Sequence, residues 1–330
     1  MNTLLLRIEA TLKKYRMLHP GERLLVASSG GADSVALFHL LKELTLRFPL
    51  RLSLLHFDHA LRKKSAQDFE FVRSLAKKFN IPFYGGRAKK ATDRSKKGFS
   101  PEEKARELRY EFFGKIARKT KIRKIALAHH KDDQAETVLM RFLQGTGPRG
   151  LQGIRPVVKN GGVTFIRPLG DVTRIELREF LRKNRIPYRE DETNRSPRFL
   201  RNRIRHRLLP LLEKEFNPKV RDLLSRLAES IRSELEGLDE WVQKKWRAFL
   251  RTKTNGGVRF DRALFLLLPE ALQFRLLDQV LHAVDPRSGL DFESWQKFKG
   301  GLQRGHFRIT LPRKIDLTLT SKTLSLQRLK

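Results

Sequence analysis

Ser29-Gly30-Gly31-Ala32-Asp33-Ser34 decides the fold, because it stands between an apolar run at 23–28 and a helical stripe that begins at Val35. Two glycines between serines at a strand-to-helix turn let backbone N–H groups close around phosphate oxygens. The motif has Asp33 where a Walker A loop has lysine. A carboxylate among phosphates is repelled unless a divalent cation lies between them. The stretch therefore predicts a phosphate site with Mg²⁺ held by Asp33; an ordinary glycine-rich turn is the alternative.

Strands and helices alternate along the first half of the chain. Apolar runs of strand length occur at 51–57, 81–84 and 124–128, and helical patterns occur at 67–79, from Pro101, and at 132–143. This alternation is typical of βαβ units. We therefore predict an α/β domain over residues 1–215, with a parallel sheet and helices on both of its faces.

The second part of the chain has a different pattern. Helical periodicity dominates from 199 to 212 and from 218 to 250, and it predicts an all-helical region over about 217–304. Period-two alternation near the end predicts a short β element at about 305–328. We therefore expect a mainly helical second domain over residues 216–330.

The composition is strongly basic, with 70 Lys+Arg against 36 Asp+Glu and a formal net charge of +34. This excess favours a nucleic acid as partner, since phosphate contacts supply affinity that does not depend on base sequence. The alternative is a basic but otherwise ordinary enzyme. The chain has no cysteine, which excludes a disulfide scaffold, a thiolate zinc site and a cysteine nucleophile. It has no apolar run of membrane-spanning length, and we expect a cytoplasmic protein without a membrane partner.

Polar side chains follow three of the predicted strands, at the edge where a parallel sheet binds its ligands. Besides the glycine loop, His56 and Asp58 follow the second strand, and we expect both to line a nucleotide pocket. Asp133 and Glu136 follow the fourth strand and share one face of a helix. This pair could hold a metal, bind an amine or take a proton from it, and helix capping is the alternative.

Two groups of arginines complete the candidate site. Arg106 and Arg109 lie three residues apart on one predicted helix, where paired guanidinium groups can neutralise charge that develops during nucleotidyl transfer. A solvated basic face is the alternative for this pair. The second group is a run without acidic residues, predicted to contact an RNA backbone: Arg195, Arg198, Arg201, Arg203, Arg205 and Arg207. A basic loop from Arg87 to Lys97 is a further candidate for that role.

Taken together, the motifs resemble those of the PP-loop ATP pyrophosphatases, whose signature S-G-G-x-D-S stands here at 29–34. Within that superfamily the chain is similar to the tRNA(Ile)-lysidine synthetase family. The motifs that carry this resemblance are His56 to Arg62, Glu103 to Tyr110, Ala128 to Thr137, Gly145 to Gly150 and Arg201 to Arg205. The helical remainder resembles the tRNA-binding region of the family. The resemblance implies a Rossmann-like PP-loop catalytic domain.

The resemblance also implies an ATP-dependent ligase. Such an enzyme joins free L-lysine to carbon 2 of the wobble cytidine in the CAU anticodon of an isoleucine tRNA, through an adenylated intermediate, and releases AMP and pyrophosphate. The ATP phosphates would lie on the loop residues Ser29, Gly30, Gly31, Ala32 and Ser34. Asp33 would hold Mg²⁺, Arg106 and Arg109 would face the α-phosphate, and Asp133 and Glu136 would position the lysine and relieve it of a proton. A homodimer is one candidate assembly.

Other functions remain open from the residues alone. A tRNA thiolase of the same superfamily is the nearest alternative, but those enzymes generally use cysteines. GMP or argininosuccinate synthesis would share the loop without explaining the net charge. A catalytically inactive RNA-binding module would keep the arginines but would not need Asp33, Asp133 and Glu136 together.

Overall fold

The computed structural model describes residues 3–59, 65–88, 101–190, 199–254, 257–285, 288–302, 304, 306–311 and 313–329. The chain divides into two compact units, Met1–Ile231 and Arg232–Lys330. The observed division lies after the expected boundary at 215/216. The reason is that the first part of the helix Val220–Phe249 belongs to the first unit. In that helix Arg221 forms ion pairs with Asp132 and Glu213.

The sheet of unit 1 confirms the predicted α/β class. Its strands are Arg23–Ala27 (β1), Arg51–Asp58 (β2), Phe83–Arg87 (β3), Lys124–Ala126 (β4), Val157–Asn160 (β5) and Val163–Ile166 (β6). Their order is β3-β2-β1-β4-β6-β5, and the pairings are parallel except that β5 runs antiparallel to β6. The sequence analysis did not predict the β5–β6 hairpin, whose turn is Gly161-Gly162 with positive φ at both residues. Positive φ at both turn positions is the geometry that a two-residue hairpin requires.

Helices cover both faces of this sheet. Those of unit 1 are Thr3–Lys14 (α1), Ala32–Leu44 (α2), Ser65–Lys78 (α3), Pro101–Thr120 (α4), Lys131–Leu143 (α5), Pro148–Leu151 (α6), Arg174–Lys183 (α7), Leu200–Arg203 (α8) and Leu209–Glu215 (α9), with a π-helical turn at Ile204–Leu208. Successive strand residues point to opposite faces. Leu24 accordingly packs in the core shared with α2, whereas Leu25 packs in the core shared with Phe113 of α4.

The glycine loop is joined to a distant segment. Gly30 has φ +85°, and a Cβ at this position would lie 3.3 Å from the ring of Phe71, so a side chain here would be strained. Its carbonyl accepts a 2.9 Å hydrogen bond from the backbone N–H of Arg189, and Gly31 forms a β-bridge with the same residue. The loop conformation therefore depends on the segment that follows α7.

Val220–Phe249 (α10) begins in unit 1 and ends in unit 2. The other elements of unit 2 are Leu250–Thr254 (β7), Gly257–Asp261 (β8), Arg262–Leu266 (α11), Glu270–Val284 (α12), Phe292–Gly301 (α13), Phe307–Leu311 (β9), Ile315–Leu319 (β10) and Thr323–Arg328 (β11). The expected β element is confirmed as β9–β11, but the all-helical prediction for 217–304 is wrong, because β8 pairs with β11 in one antiparallel sheet. None of the helices in the described ranges combines the length and hydropathy that a membrane crossing requires.

Candidate active site

A cavity of about 980 Å³ opens in unit 1 at the carboxyl edge of the parallel sheet. Its lining includes the following predicted site residues: Ser29, Gly31, Ala32, Asp33, Ser34, Arg106, Arg109, Asp133, Arg201 and Arg205. An apolar wall consists of Ala27, Leu55, Phe57, Phe113 and Leu127. The parallel topology brings these loops together, because the strands that precede them end at the same edge. The cavity thus offers both a charged floor and a surface for a planar base.

The glycine loop is ordered by its own serines. The Ser34 hydroxyl accepts a 3.1 Å hydrogen bond from the Ser29 N–H and donates to the Gly31 carbonyl at 3.0 Å. The Gly31 N–H lies 3.3 Å from the Ser29 hydroxyl. Gly31 is the N-cap of α2 and has no side chain that could cap the first N–H groups of that helix. These N–H groups lie at the positive end of the helix and can donate hydrogen bonds to a bound anion.

Asp33 shares His130 with the acids of α5. His130 is buried, and each imidazole nitrogen lies 3.5 Å from a carboxylate oxygen: Nε2 from Asp33 and Asp133, and Nδ1 from Asp132. Burial alone would lower the pKa of His130, but hydrogen bonds to Asp132 and Asp33 and the charge of Asp133 raise it to about 10. Both ring nitrogens of the imidazolium carry a proton and act as donors. Nδ1 therefore donates to Asp132 and cannot accept from the backbone N–H of Asp133, which lies 3.4 Å away.

Asp33 itself keeps one oxygen unused. Burial would raise the pKa of Asp33, but the hydrogen bond and charge of His130, with the charges of Arg174 and Arg205, lower it overall. The carboxyl group is therefore ionised at neutral pH. Its Oδ1 is buried and has no hydrogen-bond partner within the described part of the chain. An unpartnered, ionised oxygen beside a phosphate loop is the kind of ligand that Mg²⁺ prefers.

Asp133 and Glu136 are paired with two of the arginines that were predicted to bind RNA. Arg201 reaches Glu136 at 2.9 Å and Asp133 at 2.8 Å, and Arg205 reaches the same carboxylates at 2.8 and 3.2 Å. Arg201 lies in α8 and Arg205 in the adjoining π-helical turn, and both elements contact α5. A π-helical segment is frequent at functional sites. Both guanidinium groups thus face the cavity acids.

These ion pairs keep Glu136 charged in a buried position. Glu136 is only 1% exposed, and burial would raise its pKa, yet the hydrogen bonds and charges of Arg205 and Arg201 lower it overall. A carboxylate with a lowered pKa is a weak proton acceptor but a good partner for a cation. The arrangement therefore favours cation binding over proton abstraction at Glu136.

His56 and Asp58 do not line the cavity, contrary to their predicted place in a nucleotide pocket. Both lie at buried positions of β2, beneath the loop. The Nδ1–H of His56 donates a 2.8 Å hydrogen bond to the Ser28 carbonyl, and Asp58 forms a 3.1 Å ion pair with Arg87. Burial lowers the pKa of His56, so the ring is neutral. His56 thus supports the backbone that leads into the loop, and Asp58 joins β2 to β3.

The remaining predicted arginines are found in three settings. Arg106 and Arg109 lie in the cavity wall and stack on Tyr110, with guanidinium carbons 5.5 and 5.7 Å from the ring centroid. Arg203 and Arg207 are exposed on the surface. Arg195 and Arg198, with the part of the basic loop from Lys89 to Lys97, lie outside the described residues.

Several cavity residues have no predicted role in the sequence analysis. Three of them, His129, Arg174 and Arg189, carry an imidazole or guanidinium group. His129 is held by the Nε–H of Arg167, which lies 3.3 Å from its Nδ1, and burial together with nearby arginines lowers its pKa to about 3. Its position in the His129-His130 pair at the end of β4 was a usable signal. Arg174 and Arg189 stand outside every recognised motif, and only the fold brings them to the loop.

Residues 4–212 match the model of the PP-loop domain family. A tRNA(Ile)-lysidine synthase of Thermotoga maritima is 43% identical over 211 residues, which is 64% of this chain and 50% of the relative. Another, from Symbiobacterium thermophilum, is 34% identical over 325 residues, 96% of this chain and 67% of the relative. The chain spans about half the length of several curated relatives it matches.

A solved structure supports the fold. The U34-tRNA thiolase NcsA from Methanococcus maripaludis, described with its 4Fe-4S cluster, superposes with a TM-score of 0.59 at 17% identity, over 69% of this chain and 77% of that chain. At this identity the likeness concerns the fold alone. With the family match and the relatives above, the chain belongs to the PP-loop family, in the group that contains the tRNA(Ile)-lysidine synthases.

Proposed function

We propose that this chain is an ATP-dependent ligase that joins the amine of free lysine to carbon 2 of the wobble cytidine in an isoleucine tRNA with a CAU anticodon. The observation that carries the proposal is the convergence, in one cavity, of a phosphate loop, two stacked arginines and Asp133, which shares its two arginine partners with the buried Glu136 behind it. The relatives that bear the name tRNA(Ile)-lysidine synthase support it.

ATP would occupy the loop end of the cavity. Its phosphates would accept hydrogen bonds from the backbone of Ser29 to Ser34 and face the positive end of α2, and its base would pack on the apolar wall. Mg²⁺ fits the unpartnered Oδ1 of Asp33, and the ion would neutralise phosphate charge. Arg106 and Arg109 would stabilise the charge that develops at the α-phosphate when the cytidine oxygen attacks it and pyrophosphate leaves.

Lysine would bind at the other end, where Asp133 and Glu136 lie. Because Arg201 and Arg205 occupy these carboxylates, the lysine ammonium would replace at least one guanidinium group. The neutral amine of lysine then attacks carbon 2, and AMP leaves. The lowered pKa of Glu136 supports a role in positioning the ammonium group, and the ammonium proton would pass to solvent water before the amine attacks.

The tRNA would contact the basic surface around this cavity. The net charge of +34 supplies attraction for the phosphate backbone, and Arg203 and Arg207 are exposed beside the acid-binding arginines. Arg201 and Arg205 would then pair with Asp133 and Glu136 and would not contact the RNA.

The test supplies the protein with ATP, Mg²⁺, lysine and unmodified isoleucine tRNA, and weighs the anticodon nucleoside by mass spectrometry. The expected result is a mass gain equal to lysine condensed with loss of water. A gain that matches exchange of oxygen for sulfur would instead indicate a thiolase, although the chain has no cysteine. An unchanged nucleoside with retained tRNA binding would indicate an RNA-binding module.

A further inference from the structure

We propose that Arg174 binds the pyrophosphate half of ATP and stabilises it as the leaving group, an inference that rests on the proposed use of ATP. Arg174 is the first residue of α7 and lines the same cavity as Ser29, Gly31 and Asp33. No sequence motif pointed to it.

Within the described ranges, the guanidinium group of Arg174 forms no hydrogen bond and no ion pair. Its Nε is buried, and its charge acts on Asp33. A buried donor without a partner is costly, and native structures keep one mainly where a ligand completes it. The missing partner must be an acceptor, because arginine has only donors.

Three other arginines that line the cavity are already engaged. Arg189 reaches Asp68 at 3.3 Å and Gln67 at 2.6 Å, and Arg178 faces Glu190 at 3.8 Å. Arg205 is held by the acids of α5. Among the described arginines of α7 and the segment after it that line the cavity, Arg174 is therefore the one without an ion-pair partner.

The backbone around Arg174 is fixed. Its N–H donates to Asp132 at 2.8 Å, and the preceding residue, Thr173, caps α7 in a reciprocal pair with Glu176. The Lys131 N–H bonds to the Val172 carbonyl at 2.9 Å, which ties this turn to α5. A side chain that starts from a rigid turn and ends without a partner is preorganised for a ligand.

The electrostatics agree with a phosphate near this position. The charge of Arg174 is one of the influences that lower the pKa of Asp33, which places it within electrostatic reach of the loop. When the bond between the α-phosphorus and its bridging oxygen breaks, the electron pair leaves with pyrophosphate. A guanidinium group can accept that growing charge in a two-point contact.

The test compares the binding of α,β-methylene-ATP and AMP to the full chain by titration calorimetry, with Mg²⁺ and without tRNA or lysine. We expect Arg174→Gln to weaken the triphosphate by roughly 10- to 100-fold, about 1.4 to 2.8 kcal/mol, and to leave AMP within about twofold. Arg174→Lys, which keeps the charge, should recover part of the loss. The matched control is Arg182→Gln, an exposed arginine on the same helix that is not among the cavity residues, with an expected change below about twofold.

Equal weakening of both nucleotides by Arg174→Gln would mean a structural role and would overturn the inference, as would unchanged binding of the triphosphate. Because this assay contains neither tRNA nor lysine, its result is independent of the ligase test. If the protein failed to make lysidine but Arg174→Gln still weakened only the triphosphate, the assignment of Arg174 as a pyrophosphate ligand would stand.

Discussion

At the glycine-loop end of the cavity, Asp33 Oδ1 and Arg174 Nε are buried without partners in the described part of the chain, whereas at the α5 end Asp133 and Glu136 each face two arginines. The first end is preorganised, since a ligand with both phosphate and Mg²⁺ would complete both groups at once. At the second end the acids are already neutralised by arginines of the same chain, so a cationic ligand must displace an arginine to bind. The same cavity thus combines an open anion site with a closed cation site.

The largest effect should come from breaking the closed end. Glu136→Gln leaves Arg201 and Arg205 facing one carboxylate in a buried setting, so we expect the free energy of unfolding to fall by about 3 kcal/mol. Urea unfolding followed by far-UV circular dichroism measures this change. Glu179→Gln, an exposed position on α7, is the control and should stay within about 0.5 kcal/mol.

The Glu136 result can be sharpened with a double variant. Glu136→Met combined with Arg205→Met should be less destabilising than the sum of the two single changes, because it leaves fewer uncompensated charges. Additive losses would contradict a coupled ion pair at this end of the cavity.

At the open end, Asp33→Asn should affect chemistry more than stability. We expect tRNA-dependent exchange of labelled pyrophosphate into ATP to fall by about 100-fold or more, since the variant cannot hold Mg²⁺ beside the phosphates. Asp222→Asn, a half-exposed carboxylate paired with Lys131, is the matched control. If Asp33→Asn destabilised the protein as much as Glu136→Gln, the contrast between the two ends would be lost.

His130 lies between the two ends, and its deprotonation should lower the free energy of unfolding at alkaline pH. Its folded-state pKa of about 10 exceeds its unfolded value of 6.5. Its contribution to stability is therefore complete below pH 6.5 and is lost as the pH rises to about 10, with a slope of at most about 1.4 kcal/mol per pH unit. Urea unfolding at pH 6, 8 and 9.5 without Mg²⁺ measures it. The variant His130→Asn should lack this decline, and a parallel decline in both proteins would assign it to other groups.

The smallest effects should come from the exposed arginines. Arg203→Ala and Arg207→Ala should each weaken tRNA binding by about three- to tenfold and reduce the salt slope by about one, while stability stays within about 0.5 kcal/mol. Filter binding at several salt concentrations gives both quantities. If either variant lost stability but kept its affinity for tRNA, the side chain would have a structural role like that of Arg201 and Arg205.

The sequence predicted the sheet and its ligand edge because the relevant signals are local. The apolar runs of β1, β2 and β4 and the loop 29–34 are each readable within about ten residues. The hairpin β5–β6 was missed because its strands have only four residues each, and β8 was missed because its short apolar run gains its partner, β11, only through the fold.

The pairing of charges in the site could not be predicted in the same way. Arg201 and Arg203 look alike in the sequence and both lie in α8, yet Arg201 pairs with Glu136 and Arg203 is exposed. His56 and Asp58 follow the pattern of site residues but occupy buried strand positions. Such outcomes depend on which side of an element faces the cavity, and this is settled by tertiary packing.

The hydrogen bond between the Gly30 carbonyl and the Arg189 N–H also orders events during synthesis. The loop leaves the ribosome early, but its partner follows about 160 residues later, a delay of roughly 10 to 30 s at about 5–20 residues per second. Until then, Gly30 lacks the contact that helps to fix its left-handed conformation. A nascent chain arrested before residue 189 would contain all six strands of the sheet but an unfinished nucleotide loop. It would acquire nucleotide binding only as the segment after α7 emerges.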